Sequence, residues 1–536
     1  MRKQIATALS VLMCLSFASC ASKPTGSTPK TNEYVEENGK VTAYYQDGSE
    51  FTPVLRFVVT GDTHVNKVYT ANNDKRMENM FTDMYAYART QEYDKLDAVV
   101  VVGDYVETGL TGEYEAYARS WQKNILPETS FLCLQAGHEL IHGAASTHTL
   151  YTGNDMGMHA EINGYHFVLI SNVRFFFDEN GNIVKNENGS DMVVEAPDAD
   201  CDLDWIENAL ETAEADTGET KPIFTFHHHP IGNTILGSGT NAPDWNNDPI
   251  FTPLFNNYTQ LVDFSAHTHI PNMHPRSIMQ KNFTAFSAGP LYYAGGTSDY
   301  KEVYYSLRQG VSTASGLTVV EVDAEGRIRM LPYDLTRREF HTEIGAGKEN
   351  EQLILYVESA GDKSTWLYTE ERNDVKDLPI FEEAAKVRRI DFTDSYVNPR
   401  KNASGTDYNY TAKLPRMTLT FDTAKDKDGI ELYRMEVYNV QTGNKVCFFN
   451  KASGDGTVNG GAFRDYDCLT SRYYDDAHSK VLTVDARGAS IDSGYNFVEG
   501  QQYRIELTAI DCWHNKGAKP LTYTFTYGDI STYINE

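Results

Sequence analysis

The chain has 536 residues, of which 47 are Lys or Arg and 75 are Asp or Glu, so its formal net charge is -28. Its length suggests about three domains, and 40% hydrophobic with 23% charged residues is typical of a folded protein. The acidic charge argues against a protein that coats nucleic acid and against electrostatic docking on an anionic membrane. A phosphate-bearing substrate remains open, because bound metal ions can invert the local field.

Residues 1–19 are predicted to be a bacterial lipoprotein signal peptide. Arg2 and Lys3 precede the largely apolar segment Ile5–Ala18, which is too short to span a membrane comfortably. The segment ends Phe17-Ala18-Ser19-Cys20, which resembles a lipobox with Phe in place of the usual Leu. We therefore expect an exported protein, anchored to the cell envelope through a lipid on Cys20 alone. The alternative is an ordinary secretory signal with a coincidental Cys.

Residues 20–50 are polar and begin with a stretch rich in Ser, Thr, Pro and Gly, which predicts a flexible tether. From residue 51 to 344, short apolar runs alternate with helical periodicity, which predicts an α/β domain. The predicted helices are Asp74–Thr90, Glu113–Leu126 and Leu203–Ala215. The predicted strands are Leu55–Thr60, Ala98–Val102, Phe131–Gln135, Phe167–Ser171, Ile223–Phe226, Leu261–Ser265, Thr284–Ser287, Leu317–Val322 and Ile328–Leu335.

Residues 345–385 read as a charged, partly helical connector, and residues 386–529 as an all-β sandwich. The run Arg504–Cys512 with the following turn Trp513–Gly517 resembles the penultimate strand and turn of immunoglobulin and fibronectin type III-like modules. Such a module would act as a spacer or docking unit, with an unknown protein partner. Its predicted strands are Met417–Phe421, Leu432–Val440, Lys445–Phe449, Lys480–Val484, Tyr503–Ile510 and Leu521–Tyr527.

Five predicted strands of the α/β domain run directly into Asp or His residues. Open α/β sheets place their ligand sites outside the carboxyl ends of the strands, so these side chains are expected to converge. Each pair alone is weak evidence, but five in succession are difficult to explain as isolated strand-end residues. The residues are Asp62 and His64, Asp104, His138 and Glu139, the run His227, His228 and His229, and the pair His267 and His269.

Carboxylate oxygen mixed with imidazole nitrogen suits Zn²⁺, Mn²⁺ or Fe rather than Ca²⁺, which prefers oxygen ligands throughout. The cysteines contribute nothing to this prediction, because no two of them have the C-x-x-C spacing of a zinc ribbon. The sequence thus predicts a metal centre built by strand-end Asp and His residues.

These motifs, in this order, resemble the calcineurin-like metallophosphoesterases, whose pattern is D-x-H, G-D, G-N-H-[DE], a lone His and G-H-x-H. The resemblance covers roughly residues 52 to 340 and implies a four-layered α/β/β/α sandwich. It implies two divalent metal ions, of Mn, Fe or Zn, and hydrolysis of a phosphomonoester or phosphodiester by a hydroxide that both ions activate. The implied first-metal ligands are Asp62, His64, Asp104 and His269; the implied second-metal ligands are Asp104, His228 and His267.

Two assignments depend on the register of the motifs. His228 is chosen among the three consecutive histidines because Pro230 fixes the family's His-x-Pro pattern, with His227 and His229 as the alternatives. His138 takes the position of the family's catalytic histidine, which stabilises phosphoryl oxygens or protonates the leaving group.

The chain departs from the family pattern at Gly137, where the family has an Asn that binds the second metal and contacts the phosphate. Glycine has no side chain for either task, so the second metal lacks one ligand unless water, Glu139 or a neighbouring group replaces it. Ala266 replaces the usual Gly before His267, which is a milder change. Glu107, three residues after Asp104, is a candidate for orienting a ligand, although a solvated loop acid is the alternative.

The function predicted from the resemblance is that of an exported, lipid-anchored phosphoesterase acting on a small phosphoester or nucleotide-type substrate. The alternative is a surface lipoprotein that binds a metal or a phosphorylated ligand through a degenerate site without catalysis. Gly137 favours the second hypothesis, and the otherwise complete ligand set favours the first.

Overall fold

A computed structural model describes residues 35–37, 40–66, 70–143, 145–155, 157–171, 173–175, 193–195, 203–219, 221–238, 251–292, 315–343, 351–396, 413–446, 448–449, 466–469, 481–488 and 496–534. The predicted signal peptide and Cys20 lie outside these residues. In the part that is described, no helix combines the length and the apolar character needed to cross a membrane.

The helices are α1 (Thr70–Thr90), α2 (Thr111–Gln122), α3 (Gly137–Leu140), α4 (Ala145–Thr152), α5 (Leu203–Thr217) and α6 (Phe251–Phe255). The strands up to residue 357 are β1 (Val35–Glu37), β2 (Lys40–Tyr44), β3 (Glu50–Phe51), β4 (Pro53–Thr60), β5 (Ala98–Val102), β6 (Ser130–Leu134), β7 (Met158–Ile162), β8 (Tyr165–Leu169), β9 (Val173–Phe175), β10 (Val193–Glu195), β11 (Ile223–Phe226), β12 (Leu261–Ser265), β13 (Ile278–Gln280), β14 (Thr284–Ser287), β15 (Gly316–Asp323), β16 (Ile328–Asp334), β17 (Glu339–Phe340) and β18 (Leu355–Val357).

Two mixed sheets form the first domain. One has the strand order β17-β16-β15-β4-β5-β6, with β18 added beside β16, and the other has the order β13-β14-β12-β11-β8-β7. Strands β4, β5 and β6 are parallel, as are β8, β11, β12 and β14. The carboxyl ends of the parallel strands within each sheet therefore meet at one edge.

The two sheets pack face to face through an aromatic core. The ring of Phe57 on β4 lies 5.1 Å from Phe167, 5.0 Å from Phe224 and 5.9 Å from Phe264 of the other sheet, measured between centroids. Helices α1 and α2 cover the outer face of the first sheet, and α5 covers that of the second. This arrangement is the predicted four-layered α/β/β/α sandwich, which is confirmed.

Most predicted elements coincide with observed ones, and the differences have local causes. Helix α2 ends at Gln122, four residues before the predicted end at Leu126. Pro127 follows Leu126 directly, and the residue before a proline is disfavoured in helical conformation. Pro127 thus excludes Leu126 from the helix, and the observed helix ends earlier still, at Gln122.

The predicted tether is wrong for residues 40–50. Lys40–Tyr44 and Glu50–Phe51 form an antiparallel pair, and Tyr45 and Phe51 are buried. The Tyr45 ring contacts Tyr356 edge-on at 4.9 Å, which fastens the pair to the first domain. The polar composition of the whole segment concealed these few aromatic anchors. The earlier part of the predicted tether lies largely outside the described residues.

The predicted connector also contributes to the first domain. Leu355–Val357 pairs with β16, and Val357 is buried in the core between the sheets. Short 3₁₀ helices follow at Lys363–Thr365 and Glu370–Arg372.

The C-terminal part is a β-sandwich, as predicted. Its sheets have the strand orders β19-β20-β24-β22 and β23-β21-β25-β26 and enclose a core that includes Leu419, Val437 and Ile505. Its strands are β19 (Val387–Tyr396), β20 (Lys413–Asp422), β21 (Ile430–Asn439), β22 (Phe448–Phe449), β23 (Tyr466–Leu469), β24 (Val481–Gly488), β25 (Gln502–Asp511) and β26 (Leu521–Thr526).

The sandwich contacts the first domain through Trp513. The indole ring packs 5.6 Å from the Arg276 guanidinium and 5.2 Å from that of Arg372, and its Nε1–H donates to Asp428 at 3.1 Å. His274 Nε2 lies 3.6 Å from a carboxylate oxygen of the buried Glu431. The sandwich thus rests against the segment that follows His269 in the chain.

Candidate metal centre

The strand-end loops that carry the predicted ligands are tied to one another by backbone hydrogen bonds. After β4, the Asp62 N–H donates to Gly103 O at 3.1 Å, and the His64 N–H donates to Asp104 O at 2.9 Å. After β11 and β12, the Ala266 N–H donates to His228 O at 2.9 Å. Each neighbouring pair of strands therefore holds its ligand loops in register beyond the end of the sheet.

Five of the predicted ligands have left-handed backbone. The φ angles are 49° at Asp62, 45° at His64, 49° at Asp104, 65° at His267 and 53° at His269. This region is uncommon for non-glycine residues and costs roughly 1 kcal/mol or more at each, so it persists only where the surroundings impose it. The tight turns that result aim successive side chains into one space.

Asp62, His64 and His269 form the first cluster. The Nε2 atoms of His64 and His269 lie 3.3 Å apart, and Asp62 Oδ1 lies 3.8 Å from the former and 3.5 Å from the latter. Asp62 is held by its second oxygen, which accepts from the His267 N–H at 3.0 Å. Three ligand atoms thus surround a common point.

Asp104, His228 and His267 form the second cluster. His228 Nδ1–H donates to Val102 O at 2.8 Å, which turns Nε2 towards Asp104 Oδ2 at 2.9 Å and His267 Nδ1 at 3.3 Å. His228 Nε2 is also 3.8 Å from Asp62 Oδ1. The structure therefore brings all six predicted ligands together, in two clusters that touch.

The donors fit a pair of metal ions. Among the described residues, the buried Asp62 Oδ1 has no hydrogen-bond partner, although three imidazole nitrogens lie within 3.8 Å. A buried carboxylate oxygen without a donor is costly, and a cation between these atoms removes the cost. Mixed carboxylate and imidazole donors match Zn, Mn and Fe.

Burial and mutual charge determine the titration of these groups. Burial raises the pKa of Asp62 to about 6, against the opposing charges of His228 and His64. Burial also acts to raise the pKa of Asp104, but His228 holds it well below its usual range. In His228, burial acts to lower the pKa, and Asp104 raises it to about 10. Without a bound ion, Asp104 and His228 thus stabilise each other's charged form.

His138 lies at the open side of the clusters. Its side chain is 37% exposed, its Nδ1–H donates to Glu107 O at 2.6 Å, and its Nε2 lies 3.9 Å from Asp104 Oδ2. Burial acts to lower its pKa, but Asp104 and the neighbouring acceptors raise it overall. The imidazole is therefore oriented with Nε2 towards the space where a substrate would meet the metal ligands.

The two candidate supporting acids have different positions. Glu107 lies 3.3 Å from His64 Nδ1, which suits orientation of that imidazole. Glu139 is fully buried and accepts backbone N–H groups from Asp104 (3.2 Å), Val106 (3.0 Å) and Ala136 (2.8 Å). Burial, with the nearby charge of Asp104, raises the pKa of Glu139 to about 8. Glu139 thus holds the loop that carries Asp104 through both of its carboxylate oxygens.

The three consecutive histidines have different surroundings. His227 Nε2 lies 2.9 Å from Asp263, away from the clusters, whereas His228, the residue that the Pro230 register indicates, lies in the second cluster. His229 also lies there, with one ring nitrogen within 4.8 Å of ligand nitrogens on His228 and His267. Sequence reasoning treated His229 as a replacement for His228, not as an addition to it.

Tyr292 is a neighbour of the site that no motif indicated. Its N–H donates to Asp62 O at 3.1 Å, and its ring centroid is 6.3 Å from that of His64. The Arg76 guanidinium lies 4.8 Å from the centroid of the Tyr292 ring. A lone Tyr and a lone Arg, far apart in the sequence, carry no pattern from which this proximity could be inferred.

Residues 55–271 match the family model of the calcineurin-like phosphoesterases. This segment is a calcineurin-like phosphoesterase domain. The family consists of metal-dependent phosphoester hydrolases, and the Asp and His clusters described above lie within the matched segment, where metal ions could bind.

Among solved structures, the chain is similar to a purple acid phosphatase from yellow lupin seeds (Lupinus luteus), at 10% sequence identity and a TM-score of 0.34. The match covers 54% of this chain and 52% of the lupin enzyme, so it spans about half of that protein. The comparison with curated proteins gave no match.

Proposed function

We propose that the protein hydrolyses a phosphomonoester or phosphodiester of a small, nucleotide-type molecule with two divalent metal ions. The observation that carries this proposal is the contact between the two ligand clusters. Asp62 Oδ1 lies within 3.8 Å of His64 and His269 on one side and of His228 on the other. Two cations held so close together can act on one phosphoryl group.

The assignment of ligands follows the clusters. Asp62, His64 and His269 would hold the first ion, His228 and His267 would hold the second, and Asp104 would contribute to both. When bound, the ions supply Lewis acidity and an activated water nucleophile at neutral pH. The chain's own contribution is to fix the donors through strained turns and backbone hydrogen bonds before a substrate arrives.

His138 is proposed to act on the phosphoryl oxygens or the leaving group. The hydrogen bond from its Nδ1–H to Glu107 O leaves Nε2 as the nitrogen that faces the site. A histidine with one nitrogen anchored can hold a proton on the other at a fixed place and transfer it in the reaction.

We further propose that the protein is exported and lipid-anchored through Cys20, with the sandwich as a fibronectin III-like spacer or docking module. The lipobox-like sequence and the turn after β25 support these proposals. Labelling with a palmitate analogue in a bacterial host tests the anchor. Label that Cys20→Ser abolishes supports it, and unlabelled protein in the soluble fraction contradicts it.

The second candidate function is a binding lipoprotein without catalysis. Gly137 is the observation that favours it, because the family's metal-binding amide is missing at that position. This function predicts metal or phosphate binding without turnover.

The test is hydrolysis of a chromogenic phosphodiester and the matching monoester by the purified full chain loaded with Mn²⁺. Asp104→Asn serves as the control, because it removes the carboxylate that is proposed to contribute to both ions. Activity that this substitution abolishes supports the phosphoesterase, and the ratio of the two rates gives the substrate class. Folded, metal-loaded protein with no activity above the control supports the binding function instead.

A further inference from the structure

The second cluster contains one more imidazole than the resemblance implies. His229 follows β11 directly after His228 and is only 5% exposed. The centroid of its ring lies 4.2 Å from that of His267 and 5.1 Å from that of His228. The rings of His228 and His267 are themselves 5.1 Å apart. Three imidazoles therefore meet at one place beside Asp104.

The nitrogens are spaced as metal ligands are. One nitrogen from each of the three rings lies within 4.8 Å of the others, and His228 Nε2 is 3.3 Å from His267 Nδ1. Nitrogens at about 2.0–2.1 Å from a tetrahedral metal are about 3.3–3.4 Å apart. The closest pair already has this separation, and a His229 nitrogen lies within 4.8 Å of both of its members.

His227 provides an internal comparison, because it belongs to the same run of three histidines. Its two nitrogens face Asp263 and the backbone carbonyl of His229, so both are used in holding the loop. Structural hydrogen bonding thus accounts for His227, whereas His229 is surrounded by the other imidazoles of the cluster.

We propose that His229 is a ligand of the second metal ion and replaces the amide that is missing at Gly137. This inference rests on the proposed two-metal site. The second ion is then held by His228, His229 and His267 together with the Asp104 carboxylate. A shell with three imidazoles suits Zn²⁺ or Fe better than Mg²⁺ or Mn²⁺, which prefer oxygen donors.

The test counts zinc in the purified full chain and its variants, after equilibrium dialysis against a fixed concentration of free Zn²⁺. We expect two ions per unmodified chain and one per chain of His229→Ala. The affinity for the second ion should fall by more than the roughly 10- to 100-fold that loss of an outer hydrogen-bond partner costs. Retention of both ions at unchanged affinity would overturn the proposal.

Three further variants separate ligation from folding. His229→Gln keeps most of the side-chain volume and should also lose the second ion, while retention of the first ion reports an intact fold. His227→Asn should keep both ions, because His227 faces Asp263. Gly137→Asn combined with His229→Ala returns an amide to the position of the family's ligand and should restore the second ion. Loss of both ions in His229→Gln, with a native circular dichroism spectrum, would also contradict the proposal.

The number of zinc ions bound tests the role of His229 without any measurement of phosphoester hydrolysis. An unmodified chain that binds two zinc ions but hydrolyses no phosphoester would contradict the proposed function and leave the role of His229 standing. Phosphoester hydrolysis by the unmodified chain, together with retention of both ions in His229→Ala, would support the proposed function and contradict the role of His229.

Discussion

The two domains are both rich in strands, yet among the described residues the metal-type clusters all lie in the first. Its parallel strands end at a common edge, so residues that follow β4, β5, β11 and β12 face one another. In the antiparallel sandwich, successive strands end at opposite edges. A polar residue in one of its turns makes hydrogen bonds within that same turn: Asp511 accepts the N–H groups of Trp513 and Asn515. Strand direction, more than composition, determines where a site can form.

The largest effect expected from this comparison is that of Asp104→Asn. The substitution removes the charge that pairs with His228 and should lower phosphoesterase kcat/KM by at least ~10³-fold. Hydrolysis assays with metal analysis measure it. Asp216→Asn is the matched control, because Asp216 also contacts a histidine, His166, but is 61% exposed and distant from the strand-end loops. Equal losses in both variants would contradict the proposed centre.

His138→Ala is expected to have the next largest effect. Loss of a positioned proton donor typically costs about 10²–10⁴-fold, so kcat should fall while metal content stays unchanged. The exposed His142 on the same segment provides the control His142→Ala. If His138→Ala lost metal together with activity, the residue would be a ligand rather than a catalytic group.

A smaller effect is expected for Glu107→Gln. The carboxylate lies beside His64 Nδ1, and its loss should weaken metal affinity and activity by about 10-fold without removing a ligand. Metal titration followed by activity measurement gives the two values, and Glu115→Gln on the exposed face of α2 is the control. Full recovery of activity at high metal concentration is expected, and no recovery would contradict an orienting role.

The smallest effect on activity is expected in the sandwich. Trp513→Ala removes an indole that contacts Arg276 and Arg372, so stability should fall by about 1–3 kcal/mol. Activity should stay within about 3-fold, since Trp513 has no part in the ligand clusters. Denaturant unfolding and hydrolysis assays measure the two effects. A large loss of metal would instead show that the sandwich supports the site.

The sequence was most informative where strands are buried on both faces. Ala98–Val102, Ile223–Phe226 and Leu261–Ser265 have the predicted bounds, because a strand covered on both faces reads as a continuous apolar run. Strand β2 was missed, because its few buried residues lie in a polar segment. The residue types of the candidate site and their order were visible for the same reason, since each followed a strand that could be recognised.

Side-chain direction and long-range contact could not be read from the sequence. Pro230 indicated His228 as a ligand but could not show that His229 turns to the same cluster. His274 belongs to none of the motifs, yet it is 2% exposed and lies against Glu431 of the sandwich. Such contacts depend on how two regions that are far apart in the sequence pack together. No local sequence pattern predicts that packing.

The left-handed backbone at five ligand positions has a consequence for how this protein could change over time. Glycine adopts that conformation at no steric cost, and Asn tolerates it better than His does. Replacing a ligand at one of these positions by Gly or Asn would therefore relieve backbone strain, and the variant would lose a metal donor. Random drift should erase these residues early once catalysis no longer matters. Changes at Asp62, His64, Asp104, His267 and His269 are thus expected to arise first in copies of the chain that no longer need the metal.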